Sequence, residues 1–208
     1  MKTLKMTGMK IASTILLLLI AFNSFAQSRN LKTKTSKDGE SIVKYEVKKV
    51  DGGTHIYYVV ERSMNVSLEE LDNYFLNPAN HKYFLENTPQ SEEVQKLSDQ
   101  EWINYYYFDA PWPMPDSDVV VKINRAKQEN QLVFTASAIK NDYKQSDVER
   151  LTSYQFKYEF ENMPNGTTKI RITADFISPG SAPKFLVNTW FPEGPAKIAL
   201  KLGSKVQS

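Results

Sequence analysis

The sequence predicts an α+β domain in which a curved antiparallel sheet wraps around a long C-terminal helix. Three observations carry that expectation. Alternating apolar and polar runs separated by turn residues recur between positions 41 and 177, a capped amphipathic segment follows Ser67, and a longer amphipathic segment lies near the C-terminus. Antiparallel strands with one apolar and one solvated face need a cover, and this chain places its cover last.

The first 26 of the 208 residues read as an address rather than as fold. "MKTLKMTGMK" is basic, "IASTILLLLIAF" is an apolar run of 12, and Ser24 and Ala26 form an A-x-A-like site. Together these are the parts of a secretory signal peptide cut after Ala26. The run is well short of the ~20 apolar residues of a spanning helix. Gln27 rather than cysteine follows the cut, so no lipidated N-terminus is expected. The mature protein is expected outside the cytoplasm, periplasmic or secreted.

Removal of Lys2, Lys5 and Lys10 from the 26 basic residues leaves 23 against 24 acidic ones, a formal charge of −1. A near-neutral chain without a basic tract gives no electrostatic reason to expect nucleic acid. Cysteine is absent and histidine occurs only at His55 and His81, which excludes a cysteine nucleophile and a Cys/His zinc site. No metal or cofactor is expected, and packing alone must hold the domain together. The expected state is a monomer.

Residues 27–40 are polar and aperiodic and read as a flexible lead-in, with the domain spanning 41–206. "SIVKYEVKKV" (41–50) and "THIYYVVER" (54–62) flank a Gly-Gly turn and predict a hairpin. Ser67 and Glu70 have capping-box spacing, and Leu68, Leu71, Phe75 and Leu76 fall close to one helical face that ends before Pro78. A weak strand (92–98) precedes "EWINYYYFDA" (101–110), where Trp102, Asn104, Tyr106 and Phe108 are expected inward. Strands at 118–126, 131–139, 152–161 and 168–177 follow. The closing amphipathic segment carries Leu186, Trp190, Ile198 and Leu202 at multiples of four, and Pro192 and Pro195 predict a kink or break within it.

With this order established, two stretches are similar to the START family, the StAR-related lipid-transfer domains of helix-grip fold. "APWPMPDSDVVV" (110–121) resembles the family's Pro-Trp-Pro and aspartate stretch after an aromatic strand, and "SPGSAPKFLVNTW" (178–190) resembles the opening of its last helix. The resemblance covers about residues 40–205. Ser117 replaces the family's arginine before the aspartate, Phe185 replaces a tryptophan, and Arg150 is a candidate for another family arginine. The resemblance implies a diverged member that binds a lipid or other hydrophobic small molecule, with transfer as a further expectation and transient membrane contact through Phe185, Trp190 and Phe191 of the C-terminal helix.

The candidate ligand-binding residues are Tyr106, Phe108, Trp112, Val121, Ile123, Phe134, Tyr154, Phe156, Tyr158, Ile172, Phe176, Leu186 and Trp190. The same set suits a filled core, since apolar and aromatic side chains line both. Burying a ~15-carbon chain contributes roughly 12 kcal/mol gross, so no charged anchor is required. Tyr106, Tyr154 and Tyr158 each offer a hydroxyl to a head group or to solvent. Pro111, Pro113 and Pro115 form a rigid corner, with Trp112 packed under the sheet, at the rim or in a core gap, and Asp118 is expected to tie the corner's amides. An enzyme would need an ionisable group inside the cavity, for which Asp109, Asp118, His55 and His81 are the candidates. No G-x-S-x-G or H-E-x-x-H occurs, and the expectation is a non-catalytic protein. The alternatives are an envelope interaction module with a filled core, or a cyclase- or hydrolase-like enzyme on the same fold. The sequons "NVS" and "NGT" are short enough to arise by chance.

Overall fold

The computed structural model describes residues 29–144 and 147–205, and the fold begins at Leu31. The expected signal peptide lies outside the described residues. Strands β1 (Lys32–Thr35), β2 (Ser41–Val50) and β3 (Gly53–Met64) lead into helix α1 (Leu68–Phe75), a 3-10 turn (Pro78–Asn80) and the short helix α2 (His81–Phe84). Strands β4 (Gln90–Lys96), β5 (Glu101–Phe108), β6 (Ser117–Lys127), β7 (Gln131–Ala138), β8 (Glu149–Arg150), β9 (Tyr154–Asn162) and β10 (Thr168–Pro179) follow. Helices α3 (Lys184–Trp190) and α4 (Glu193–Lys205) close the chain. The sheet order is β1-β2-β3-β10-β9-β7-β6-β5-β4, with β8 paired in parallel to β6.

Alternation works as expected in β9, where Tyr154, Phe156, Tyr158 and Phe160 are buried, and in β10, where Ile170, Ile172 and Ala174 are. The hairpin register sets Tyr45 opposite Tyr58 and Val43 opposite Val60, so one face of both strands is apolar. On β5 the inward set is Trp102, Asn104, Tyr106 and Phe108. The opposite face carries Ile103 and Tyr105, which pack with Val120 in a second, smaller cluster.

Two local expectations are corrected. Residues 32–35, read as part of a flexible lead-in, form the edge strand β1 against β2. All four side chains are exposed, so no apolar alternation marks the strand, and its lysines are typical protection for a sheet edge. Leu76 caps the end of α1 and is exposed, while Leu68, Leu71 and Phe75 are buried. The break expected in the C-terminal segment falls at Pro192 and divides it into two helices, because Phe191 leaves the helical conformation immediately before that proline.

Helix α1 starts at the predicted capping box. Ser67 Oγ accepts the Glu70 N–H at 3.1 Å, and Glu70 Oε2 accepts the Ser67 N–H at 2.8 Å. The helix delivers Phe75 into the sheet's concave face, stacked on Phe134 at 4.1 Å and edge-on to Tyr158 at 4.9 Å. Asp72 on the same helix is buried against Arg125 and Lys127. Burial alone would raise its pKa, but hydrogen bonds from both cations outweigh it and hold the carboxyl low.

Asp118 does not tie the proline corner. It lies on the outer face of β6, fully buried, and accepts from Arg150 Nε at 2.5 Å and Nη2 at 3.0 Å. Arg150 also donates to the carbonyls of Asn141, Tyr143 and Lys144, which pins the 141–150 connection over the second cluster. The corner is tied by Asp116, whose carboxylate accepts the Ala110 N–H at 2.9 Å and the Tyr107 hydroxyl at 2.7 Å. Odd positions of β6 face the main core, so Asp118 is turned away from it by strand parity.

Arg150→Ala leaves the Asp118 charge buried without its fork, and the expected loss is about 3–5 kcal/mol by urea unfolding. Arg150→Lys should recover little, because one ammonium cannot replace the bidentate contact and the three carbonyl bonds. A loss under ~1 kcal/mol, the value of an exposed pair, would show that Asp118 is effectively solvated.

Candidate functional site

The concave face is longer than its helical covers, and the gap is a cavity of about 500 Å³. Val47, Ile56 and Tyr58 of the first hairpin form one wall, and Tyr154, Phe156 and Phe176 of β9 and β10 form the floor. Leu85 to Thr88, after α2, and Ala110, Pro111 and Met114 of the corner surround the opening. Leu186, Val187 and Trp190 of α3 lie above it, and Gly194, Lys197 and Ile198 of α4 complete the lining.

The aromatic floor is continuous. Phe108 stacks on Tyr154 at 5.8 Å, Tyr154 on Phe156 at 4.7 Å, and Phe156 on Phe176 at 5.9 Å. Trp190 meets the Tyr58 ring edge-on at 5.6 Å. Gly194 permits this placement, because a Cβ there would fall on the Trp190 indole. Phe191 stacks on Tyr45 at 4.0 Å and fastens the junction between α3 and α4 to the sheet.

Of the candidate ligand-binding residues, Phe108, Tyr154, Phe156, Phe176, Leu186 and Trp190 line the cavity. Tyr106, Val121, Ile123, Phe134, Tyr158 and Ile172 belong to the buried core and not to the cavity wall. They share the correct face of the sheet but lie where α1 and α2 fill it, which strand parity cannot distinguish. Trp112 is neither under the sheet nor in a core gap. It is 86 % exposed, because the corner's neighbours Pro111 and Met114 face the cavity and turn it outward. Wall residues not anticipated include Val47, Ile56 and Tyr58. Their signal was the hairpin itself, since pairing the apolar face of β2 with β3 selects Ile56, Tyr58 and Val60.

Charge is confined to the opening. Glu86 bridges Lys197 at 3.3 Å and Lys201 at 2.9 Å, linking the segment after α2 to α4. Burial, with a smaller contribution from the Glu86 carboxylate, pushes the Tyr58 phenol far above its ordinary range. Burial likewise raises Tyr154, helped by the Tyr106 and Tyr58 phenols. Both remain neutral hydrogen-bonding groups.

Among the described residues, none of the four acid–base candidates lines the cavity. His55 Nε2 contacts Asp175 at 2.6 Å between neighbouring strands, Asp109 is exposed, and Asp118 serves the outer cluster. His81 is completely buried beneath the cavity's neighbouring core. Its Nε2–H donates to the Phe75 carbonyl at 2.7 Å and its Nδ1 accepts the Tyr106 hydroxyl at 2.6 Å. Burial lowers its pKa from 6.5 to about 4, so it is held neutral as a structural link between α1 and β5.

A histidine depressed in the fold stabilises it fully above its unfolded pKa and loses that contribution as pH falls. The window is pH 6.5 down to about 4, and the shift corresponds to about 3 kcal/mol. Urea midpoints should fall across that window in the wild type and run flatter in His81→Gln. Parallel pH profiles for the two proteins would contradict the assignment.

No protein-family model matches the sequence, and neither does any curated protein sequence. Solved structures do match. Human StAR-related lipid transfer protein 5 superposes with a TM-score of 0.69 at 15 % identity, over 95 % of each chain. Human STARD10 gives 0.66 at 19 %, over 88 % of this chain and 77 % of that one. A STAR-related lipid transfer protein from Xanthomonas axonopodis (fragment 25–204) gives 0.66 at 17 %, over 86 % of this chain and all of that one. The chain therefore has the START-like helix-grip fold.

Proposed function

We propose that the protein is a non-catalytic carrier or sensor that holds a lipid or other hydrophobic small molecule in the cavity beneath α3 and α4. The observation that carries this reading is the cavity itself, lined chiefly by apolar and aromatic side chains and of a size typical for small-molecule sites. The START-like fold supports it, as do the lipid-transfer names of the structures it resembles. Of the ionisable side chains on the wall, Glu86 and Lys197 are tied to each other, and none of His55, His81, Asp109 and Asp118 lines the cavity.

Delivery to and from a membrane is part of the same proposal. Trp112 and Phe185, 86 % and 60 % exposed, belong to the corner and to the first turn of α3. Those two segments adjoin, since a Cβ at Gly180 would stand 3.0 Å from Pro115. Exposed aromatics beside an apolar opening suit an interface between water and lipid. Phe191, 2 % exposed and stacked on Tyr45, takes no part in this surface. Residues 1–26 are proposed to direct export and to be removed.

Native mass spectrometry of residues 27–208 should show a discrete added mass that extracts as lipid. Ile56→Trp, which adds bulk to the cavity wall, should cut uptake about tenfold or more while the fold survives. A bare protein that also takes up no fluorescent fatty acid, sterol or phospholipid would favour an interaction module instead. Trp112→Ala/Phe185→Ala should lower co-flotation with vesicles without altering uptake from solution, and unchanged flotation would remove the membrane contact. N-terminal sequencing of the exported protein should begin at Gln27.

A further inference from the structure

Size, charge and hydrogen bonding together restrict what the cavity accepts. A volume of about 500 Å³, at ~30 Å³ for each water-sized group, holds about seventeen non-hydrogen atoms. That is one chain, and much less than a lipid with two. The charged groups on the wall are Glu86, Glu193 and Lys197, all near the opening, and Lys201 joins Lys197 on Glu86. The formal charges of these four groups cancel, although both lysines pair with Glu86 alone, so no net positive charge awaits a carboxylate or phosphate head group. Glu193 is itself occupied, accepting the Lys37 N–H at 3.0 Å.

The wall also carries a hydroxyl without a partner. Tyr58 Oη is buried and makes no hydrogen bond. A buried polar group left unpaired carries a desolvation cost, and such groups are rare enough to need a reason. Tyr154 supplies a second phenol to the same wall, and both rings pack on Phe156, Tyr58 at 6.1 Å and Tyr154 at 4.7 Å between centroids. Trp190 of α3 packs edge-on against the Tyr58 ring, so this corner of the cavity is sealed by the element that lies above the opening.

Resting on the carrier reading above, we infer that the ligand is an uncharged amphiphile of single-chain size, a long-chain or isoprenoid alcohol, with its hydroxyl at the Tyr58 and Tyr154 phenols. An alcohol both accepts and donates, so one phenol donates to its oxygen and the other accepts its proton. A carboxylate brings a charge that this wall does not neutralise. Trp190 moves aside as the ligand enters, and the Tyr58 hydroxyl gains the partner it lacks in the closed protein.

The test is displacement of the fluorescent apolar probe N-phenyl-1-naphthylamine by farnesol, hexadecan-1-ol and palmitate at mildly alkaline pH. Wild type is compared with Tyr58→Phe/Tyr154→Phe, which keeps both rings. The alcohols should displace the probe from wild type at lower concentration than palmitate. Relative to its affinity for the probe, the double variant should lose about tenfold in affinity for the alcohols, the scale of a buried neutral hydrogen bond. Tyr58→Phe alone should also raise the thermal midpoint of the ligand-free protein, because it removes an unpaired buried hydroxyl. Preference for palmitate, or full alcohol affinity in the double variant, overturns the inference while probe uptake leaves the carrier reading standing. A wild type that takes up neither the probe nor any competitor overturns both.

Discussion

The concave face of the sheet offers more apolar surface than its last helix can cover, and the rest of the molecule answers that mismatch. Ten strands contribute to the sheet, while α4 has 13 residues and so extends only about 20 Å at 1.5 Å per residue. An inward face left in water forfeits the hydrophobic stabilisation that folds the domain. One part of the deficit is met by α1 and α2, whose Phe75 and Phe84 pack against Phe134 and Tyr158. The other part is met by α3 and by the space it encloses. Solid core and cavity are thus two ways of covering one surface.

The distribution of charge follows the same division. Two ion-pair systems built on buried carboxylates sit away from the cavity. Arg125 and Lys127 hold Asp72 of α1, and Arg150 holds Asp118 on the outer face. Such pairs contribute little net stability compared with apolar packing, but each is costly to break and therefore fixes one arrangement of the elements it joins. Asp72 fixes α1 at its seat on the sheet, and Asp118 fixes the 141–150 connection. Neither system faces the cavity, whose charged side chains among the described residues are Glu86, Glu193 and Lys197, with Glu86 held by Lys197 and Lys201. Pairing matters there, because an unpaired charge facing an apolar guest would hold water in place.

The extent to which this was legible in the sequence depended on what each signal measures. Alternation in "YQFKYEFEN" identifies which side chains of β9 point inward, and it did so without error. It is silent on where along the strand an inward residue meets a helix or a void, so Tyr158 and Phe156 looked alike although one packs on Phe75 and the other lines the cavity. The capping box at Ser67 and the proline at 192 act through local backbone chemistry, and both marked true helix ends. Strand β1 carries no such mark, since "KTKT" has no apolar alternation and is held by its backbone pairing with β2. Trp112 misleads for the opposite reason: tryptophan is usually buried on average, and here rigid neighbours hold it out in solvent.

The element above the cavity is also the least anchored. No residue of α3 is buried, whereas α4 packs Ala196, Ile198, Ala199 and Leu202 into the core. The apolar side chains that α3 turns inward, Leu186, Val187 and Trp190, face the cavity, so their contacts there depend on what fills it. The Phe191–Tyr45 stack holds the end of α3 that joins α4, while the opposite end is tied by Thr54, whose hydroxyl accepts the Ala182 N–H at 2.8 Å and donates to the Gly180 carbonyl at 3.0 Å. A segment fixed at both ends and weakly packed between them opens locally at less cost than the sheet beneath it. A guest in the cavity adds apolar contacts to the one face of α3 that lacks them, and so closes the element that covers it. In the proposed carrier, binding and closure are then a single equilibrium, set by the unburied face of α3.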